Sequence, residues 1–352
     1  MSRFAPQLHF VNSHSRGDKE NGYTFETKPD ISIYHKSIID CAPPGCKLPL
    51  LDMHIKFKRY SWDHPFSSLS STDHHTVPFT DSTPNKTNTL GQIGAYTVAQ
   101  LAAQYRTHCF SVYIYCATAH IIRWDREGAI VTEPILYNED PSLVTFFTRF
   151  SQAPPKLRGI DTTVSAAPDD EADHARDQLG LSKKASMLKT TVPRAGGAQP
   201  FSIIFAQPNV NSTTPFCQGT HACPTYDLAG GHLVFFKDSW HLDMDDITPK
   251  GKIYAELSDH HVPHVPQCLA SRDVESWPKQ KTQTRRHSQS PWACQKGLSI
   301  MPHIHYRLIL DLVGEALTSF SSSKELVQVI HDALVGELYL SSPMVSHFTH
   351  TA

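Results

Sequence analysis

The sequence has no run of apolar residues long enough to cross a membrane, no CxxC pair among its eight cysteines, and almost no net charge. Each shortage excludes something. A membrane helix needs ~20 consecutive apolar residues, and none of the 352 residues opens such a run. The first twenty, MSRFAPQLHFVNSHSRGDKE, lack the apolar core of a secretory signal. Cysteines 41, 46, 109, 116, 217, 223, 268 and 294 are scattered along both halves, which fits reduced thiols in a cytoplasmic or nuclear protein rather than a secreted one. A formal net charge of −2 argues against nucleic acid as a partner, and no membrane partner is expected. No internal repeat is present.

What is there describes a globular chain. Hydrophobic residues make up 39%, and the length allows two domains of ~100–200 residues each. The 22 histidines invite a metal reading, with His260, His261, His264 and Cys268 the densest group. Zinc needs about four ligands converging tetrahedrally. Pro263 and Pro266 instead draw SDHHVPHVPQC into an extended turn, so solvated loop histidines and no metal site are expected.

Along the chain, DISIYH and LLDMHIKFKRY read as strands by alternation and β-branched content. TLGQIGAYTVAQLAAQYRTH reads as a helix, CFSVYIYCATAHIIRWDREGAIVTEPI as three strands with a turn at DREG, and SLVTFFTRFSQ as a second helix. Residues 1–160 are thus expected to form a mixed α/β region. The acidic and Pro/Gly-rich stretch 161–200 reads as a linker. Beyond it come strands at PFSIIFAQ, ACPTYDLAGGHLVFFKDSW, VPQCLASRDV and HYRLILDLVG, with helices at PKGKIYAELSD and SSSKELVQVIHDALVGEL.

In GGHLVFFKDSWH, Lys237 follows four apolar residues. It reads either as a strand-end lysine with a packed stem and a wet amine, or as a phosphate-gripping lysine on a kinase strand. The order strand–turn–strand–helix–strand–strand around it is shared with protein-kinase N-terminal lobes.

Specific words add to that order. HIKFKRY, TLGQIGAYTVAQLAAQYRTHCFSV, the segment from IIRWDREG to DTTV, LVFFKDSW, PWACQKG, HYRLILDLVGEAL and SSSKELVQVIHDAL together resemble the fungal-type protein kinase domain family, over roughly residues 28–334. The resemblance implies an α+β protein: a kinase-like N-lobe of antiparallel sheet plus helix with a partial C-lobe over 201–335, preceded by the α/β region. It also implies ATP and Mg²⁺ as ligands and a protein hydroxyl as substrate. Carried over, Lys237 matches the phosphate-contacting lysine, Gly219 in CQGTH the remnant of the glycine-rich loop, and Leu310, Asp311, Leu312 and Val313 the hinge that meets adenine.

Three departures qualify what the resemblance implies. Lys252 in KGKIY stands where a helix glutamate would pair Lys237, and Glu256 substitutes only if the helix shifts by one turn, ~5.4 Å. These residues contain neither an HRD-type catalytic loop nor a DFG-type aspartate; the last helix leads instead into a divergent tail at 336–352. No catalytic residue and no metal ligand is therefore assigned, and a catalytically incomplete module, a pseudokinase or truncated product, is expected. A non-catalytic interaction scaffold is an alternative, with its protein partner unknown.

A third reading concerns the α/β region. Pro29-Asp30 followed by IKFK is similar to the PD-(D/E)xK arrangement of metal-dependent nucleases, which needs two carboxylates and a lysine. Asp30 and Lys58 fit, whereas Lys56 occupies the central acid position. A degenerate nuclease-like module follows from that. Trp124-Asp125-Arg126 reads as a structural hairpin end, and KQKTQTRRH (279–287) as a solvated basic loop.

Overall fold

Alternation of buried and exposed residues builds two seven-stranded sheets, one in each of two units of the chain. The computed structural model describes residues 3–19, 26–66, 80, 82–194, 197–208, 216, 218–274, 279–294 and 300–340. The polar stretch at 67–79, Cys217, the end of PWACQKG and the tail beyond 340 lie outside them. The first unit gathers Met1–Thr162, Pro208–Gly219 and Lys281–His303, and the second gathers Thr163–Gln207, Thr220–Gln280 and Ile304–Ala352.

The first unit runs β1 (Leu8–Asn12), β2 (Ile31–His35), β3 (Met53–Lys58), α1 (Pro84–Ala103), β4 (Cys109–Tyr115), β5 (Thr118–Trp124), β6 (Ala129–Val131), β7 (Ile135–Leu136) and α2 (Ser142–Gln152). Strands lie in the order β1-β2-β3-β4-β5-β6, with β7 also on β5, so the stretch read as three strands forms four. Neighbours are antiparallel except β3 and β4, which run parallel with Ile55 opposite Val112. A parallel pair needs a crossover, and α1 supplies it. Pro84 suits the first helical turn, where its missing N–H has no intrahelical partner to lose.

Period-two alternation in β4 distributes the core to both faces. Val112 joins Phe147 and Phe150 of α2, while Tyr113 joins Ile93 and Leu101 of α1. The sheet is therefore sandwiched between the two helices. A buried ionic knot closes one end: Arg106 and Arg158 donate to Asp52 Oδ1 at 3.2 and 2.9 Å, and the His35 amide donates to Asp52 Oδ2 at 3.0 Å.

The second unit starts where a linker was expected. Residues 161–200 instead supply β8 (Val164–Ala166), α3 (Asp169–Gln178) and β9 (Met187–Val192). The acidic composition masked a narrow apolar side: Ala172 and Ala175 of α3 pack on Met187, Ile204 and Tyr226. Acidic residues also suit the first turn of a helix, where they meet the positive end of its dipole. Then follow β10 (Phe201–Ala206), β11 (His221–Asp227), β12 (His232–Leu242), α4 (Lys250–Asp259), β13 (Cys268–Asp273), the short α5 (Thr284–His287) of the first unit, β14 (His303–Leu310) and α6 (Ser323–Leu340). The sheet order is β13-β14-β12-β11-β10-β9-β8.

The basic run at 279–287 is not a solvated loop. Lys279, Lys281, Arg285 and Arg286 are exposed, but Gln280, Thr282 and Thr284 are buried between them. Each buried residue has a partner: Gln280 with His305, Thr282 with His303, and Thr284 with Asp125. Asp125, fully buried, accepts from Gln283 N at 2.8 Å, Thr284 N at 3.2 Å and Thr284 Oγ1 at 2.8 Å, and so caps α5. Trp124 alongside donates Nε1–H to Ser111 Oγ at 2.8 Å. No helix among the described residues is long and apolar enough to cross a membrane.

Candidate functional site

The hairpin that carries Lys237 is set by its turn. Asp227 closes β11 and accepts the amides of Ala229 and Gly230 at 3.2 and 3.1 Å, and Gly231 takes φ +66°, a left-handed conformation that glycine adopts without a Cβ clash. Register then places Ala222 opposite Lys237 and Cys223 opposite Phe236. Lys237 sits mid-way along the eleven residues of β12, between β11 and β14, and is not at a strand end. Val234, Phe236, Asp238 and Trp240 fill the buried face. Lys237 shares the other face with Phe235, which packs with Tyr254 of α4 and Leu308 of β14.

Helix α4 approaches this face closely at its start. Gly251 N donates to the Tyr306 hydroxyl at 2.9 Å, and a Cβ on Gly251 would overlap Ser271 Oγ and fall 2.5 Å from that hydroxyl. The preceding residue, Lys250, lies beside Lys237. Burial pulls the Lys250 pKa down, and the positive charge of Lys237 adds to that. Lys252 was read as the lysine facing Lys237, but it is exposed. Two residues further on, the helix has turned ~200° away from Lys250. Glu256, four residues beyond Lys252, shares that remote side. Among the described residues no carboxylate forms an ion pair with Lys237.

On the opposite face of β12 lies a charged cluster that the sequence did not announce. Asp238 accepts from His305 Nε2 at 2.7 Å and Arg307 Nε at 2.8 Å, Arg307 also donates to Thr190 Oγ1 at 2.8 Å, and His305 contacts Gln280 Oε1 at 2.6 Å. Burial works against ionisation of Asp238, yet the charges of His305 and Arg307 outweigh it and hold the carboxyl well below the usual range. Trp240 stacks on the His305 ring at 4.6 Å.

The remaining residues carried over from the resemblance lie as follows. Leu310 ends β14 and is buried, Asp311 exchanges hydrogen bonds with Gln267 at 3.1 and 2.8 Å, and Leu312 is 61% exposed as the chain leaves the sheet beside Val313. Gly219 belongs to the first unit, whereas Lys237 belongs to the second. Gly219 has φ +51°, and the Arg126 guanidinium fills the space a Cβ would need. That explains a glycine there without any ligand. Among the described residues no three His, Cys, Asp or Glu side chains gather as metal ligands.

An antiparallel sheet with a lysine at its centre and a helix packed over the lysine face defines the second unit as part of an α+β protein, compatible with a kinase-like fold. The chain belongs to the fungal protein kinase family, whose sequence model matches residues 79–343. No curated protein and no solved structure matches it.

Proposed function

We propose that the second unit is the nucleotide-binding part of a kinase-like fold, and that residues 1–352 bind ATP without transferring its phosphate. One observation carries this reading. Lys237 stands mid-strand, and the helix that follows its strand returns on the same face and brings Lys250 beside it. Two ammonium groups at the first turn of a ten-residue helix form a positive end suited to phosphate oxygens. The chain past Leu310 would offer backbone groups to adenine. The two lysines fit a polyphosphate, and no residue is assigned to Mg²⁺, which in such sites is held by one or two carboxylates together with the phosphates. Transition-state charge in phosphoryl transfer is stabilised by metal-held oxygens and a positioned base, and no residue here is assigned either role.

The test is a thermal shift with ATP, AMP and adenosine on wild type and Lys237→Met, beside labelled ATP with generic protein substrates. Binding without turnover predicts a shift largest for ATP and lost in the variant. Phosphate transfer abolished by Lys237→Met overturns the incomplete-enzyme reading. Absence of any shift leaves the interaction-scaffold reading, with a protein partner still to be found.

A second reading concerns the first unit alone. Its β2–β3–α1–β4 path, with β3 and β4 parallel, puts Asp30 against β3, where Lys56 Nζ meets Asp30 Oδ1 at 3.2 Å and Phe57 N donates to Oδ2 at 2.7 Å. This supports a degenerate nuclease-like module whose single acid is already neutralised by the lysine in the second acid's place. Lys56→Glu should create divalent-ion binding detectable by calorimetry, while wild type should leave supercoiled plasmid intact with Mg²⁺ or Mn²⁺.

A further inference from the structure

The first unit encloses a cavity of about 450 Å³ between α1, the β5–β6 hairpin and the segment that contains α5. Its walls are aromatic and aliphatic: Phe66, Ile93, Trp124, Val131 and Phe216 among them. Trp124 and Phe216 stack with centroids 6.1 Å apart. The volume lies in the range of small-molecule sites, which are mostly apolar with few placed polar groups.

Among the described residues that line this cavity, one side chain is ionisable. Glu127, in the turn between β5 and β6, is 7% exposed, and neither carboxyl oxygen has a hydrogen-bond partner of good geometry. Its main-chain amide is tied to Asp125 Oδ1 at 3.1 Å, which fixes the turn. Burial raises the Glu127 pKa; the Thr282 hydroxyl and the Arg285 amide oppose that, Asp125 adds a like charge, and Arg285 gives the weakest attraction. A buried carboxylate without a full partner is costly, so this position calls for a donor that carries positive charge. The Asp125 charge is already engaged by Arg123 at 2.6 Å and by the start of α5.

We infer that this cavity is a binding site for a small amine with an aromatic or aliphatic body, the ammonium meeting Glu127 and the body filling the space beside Trp124 and Phe216. The chemistry selects against the two obvious alternatives. A neutral molecule of the same shape gains the apolar burial but leaves the carboxyl unsatisfied. An anion adds a like charge next to Glu127 and Asp125. The site lies within the first unit and is independent of the nucleotide reading of the second.

The test is calorimetric titration of the full chain with phenethylamine, phenethyl alcohol and phenylacetate. The amine should bind at least about tenfold tighter than the alcohol, a difference of ~1.4 kcal/mol, and phenylacetate should bind weakest. Glu127→Gln should bring the amine down to the alcohol's affinity, and Ala293→Leu, which narrows the cavity, should weaken amine and alcohol alike. Equal affinity for amine and alcohol, no heat from the amine, or wild-type amine affinity in Glu127→Gln would each overturn the assignment. If Glu127→Gln does not fold, the ranking of the three probes on wild type decides alone.

Discussion

Arg307 Nε donates to Asp238 Oδ2 at 2.8 Å, and both side chains are almost completely shut off from solvent. The pair joins neighbouring strands β12 and β14 directly behind the lysine face. Removing one member of such a pair leaves a buried charge uncompensated, which costs ~3–5 kcal/mol. Arg307→Met should lower stability by that order in urea unfolding, and Asp238→Asn by less, since an amide still accepts from His305. The double variant should recover part of the loss. Strict additivity of the two single changes would mean the side chains do not interact.

Gly251 gives a second expectation. Its Cα sits where any Cβ meets Ser271 and Tyr306, so Gly251→Ala should destabilise by ~1–3 kcal/mol, the usual cost of overpacking. Adding Ser271→Gly should restore part of it, because the Tyr306 hydroxyl still crowds the new Cβ. The same variant should push the start of α4 outward and loosen Lys250 from Lys237, which a nucleotide titration would register as weaker binding.

Acid should unfold the first unit in a defined window. Burial lowers the pKa of His54 to about 4, and burial followed by the His120 and Lys86 charges does the same to His64. In the unfolded chain these rings take up protons near pH ~6.5. The unfolded state therefore binds more protons between those limits, and stability falls as pH drops from ~6.5 towards ~4, with no further contribution below. His54 supplies up to about 3 kcal/mol, and the partly open His64 less. His54→Phe should flatten the loss between pH ~7 and ~5 in denaturant titrations; an unchanged slope would exclude His54 as the source.

The two lysines predict a gain. Like charges facing each other on neighbouring elements cost ~0.2–1 kcal/mol, so Lys250→Gln should raise the midpoint of thermal unfolding slightly while weakening ATP binding. Lys252→Gln, on the far side of the helix, should alter neither. Equal effects of the two would show that Lys250 is not the lysine facing Lys237.

The contrast between Lys250 and Lys252 shows where the sequence stops being legible. Strand and helix patterns that rest on local sequence were readable: β2, β3, α4 and α6 fall close to where they were expected, whereas α1 runs Pro84–Ala103 and both starts and ends earlier than the stretch 89–108 read as helix. The strand, turn and strand around Lys237 were readable too, because these elements are consecutive in the chain. The phase of α4 around its own axis was not readable, since Gly251 fixes it through contact with β13 and β14 rather than through any local pattern. Partners far apart in sequence were equally hidden: nothing in KDSW names His305 or Arg307, and nothing in WDR names Thr284. Composition misled at 161–200, where two alanines suffice to seat an acidic helix.

Each unit draws on three separate stretches of chain, and the order of synthesis follows from that. As the protein leaves the ribosome, Asp125 emerges long before the Gln283 and Thr284 amides that it must receive. Until His303 is out, its carboxylate and the apolar ring of residues around Glu127 lack their closing segment. A clone ending at Thr162 would stop at that same unfinished stage. The first unit begins the chain, but it is completed only after most of the second has been made.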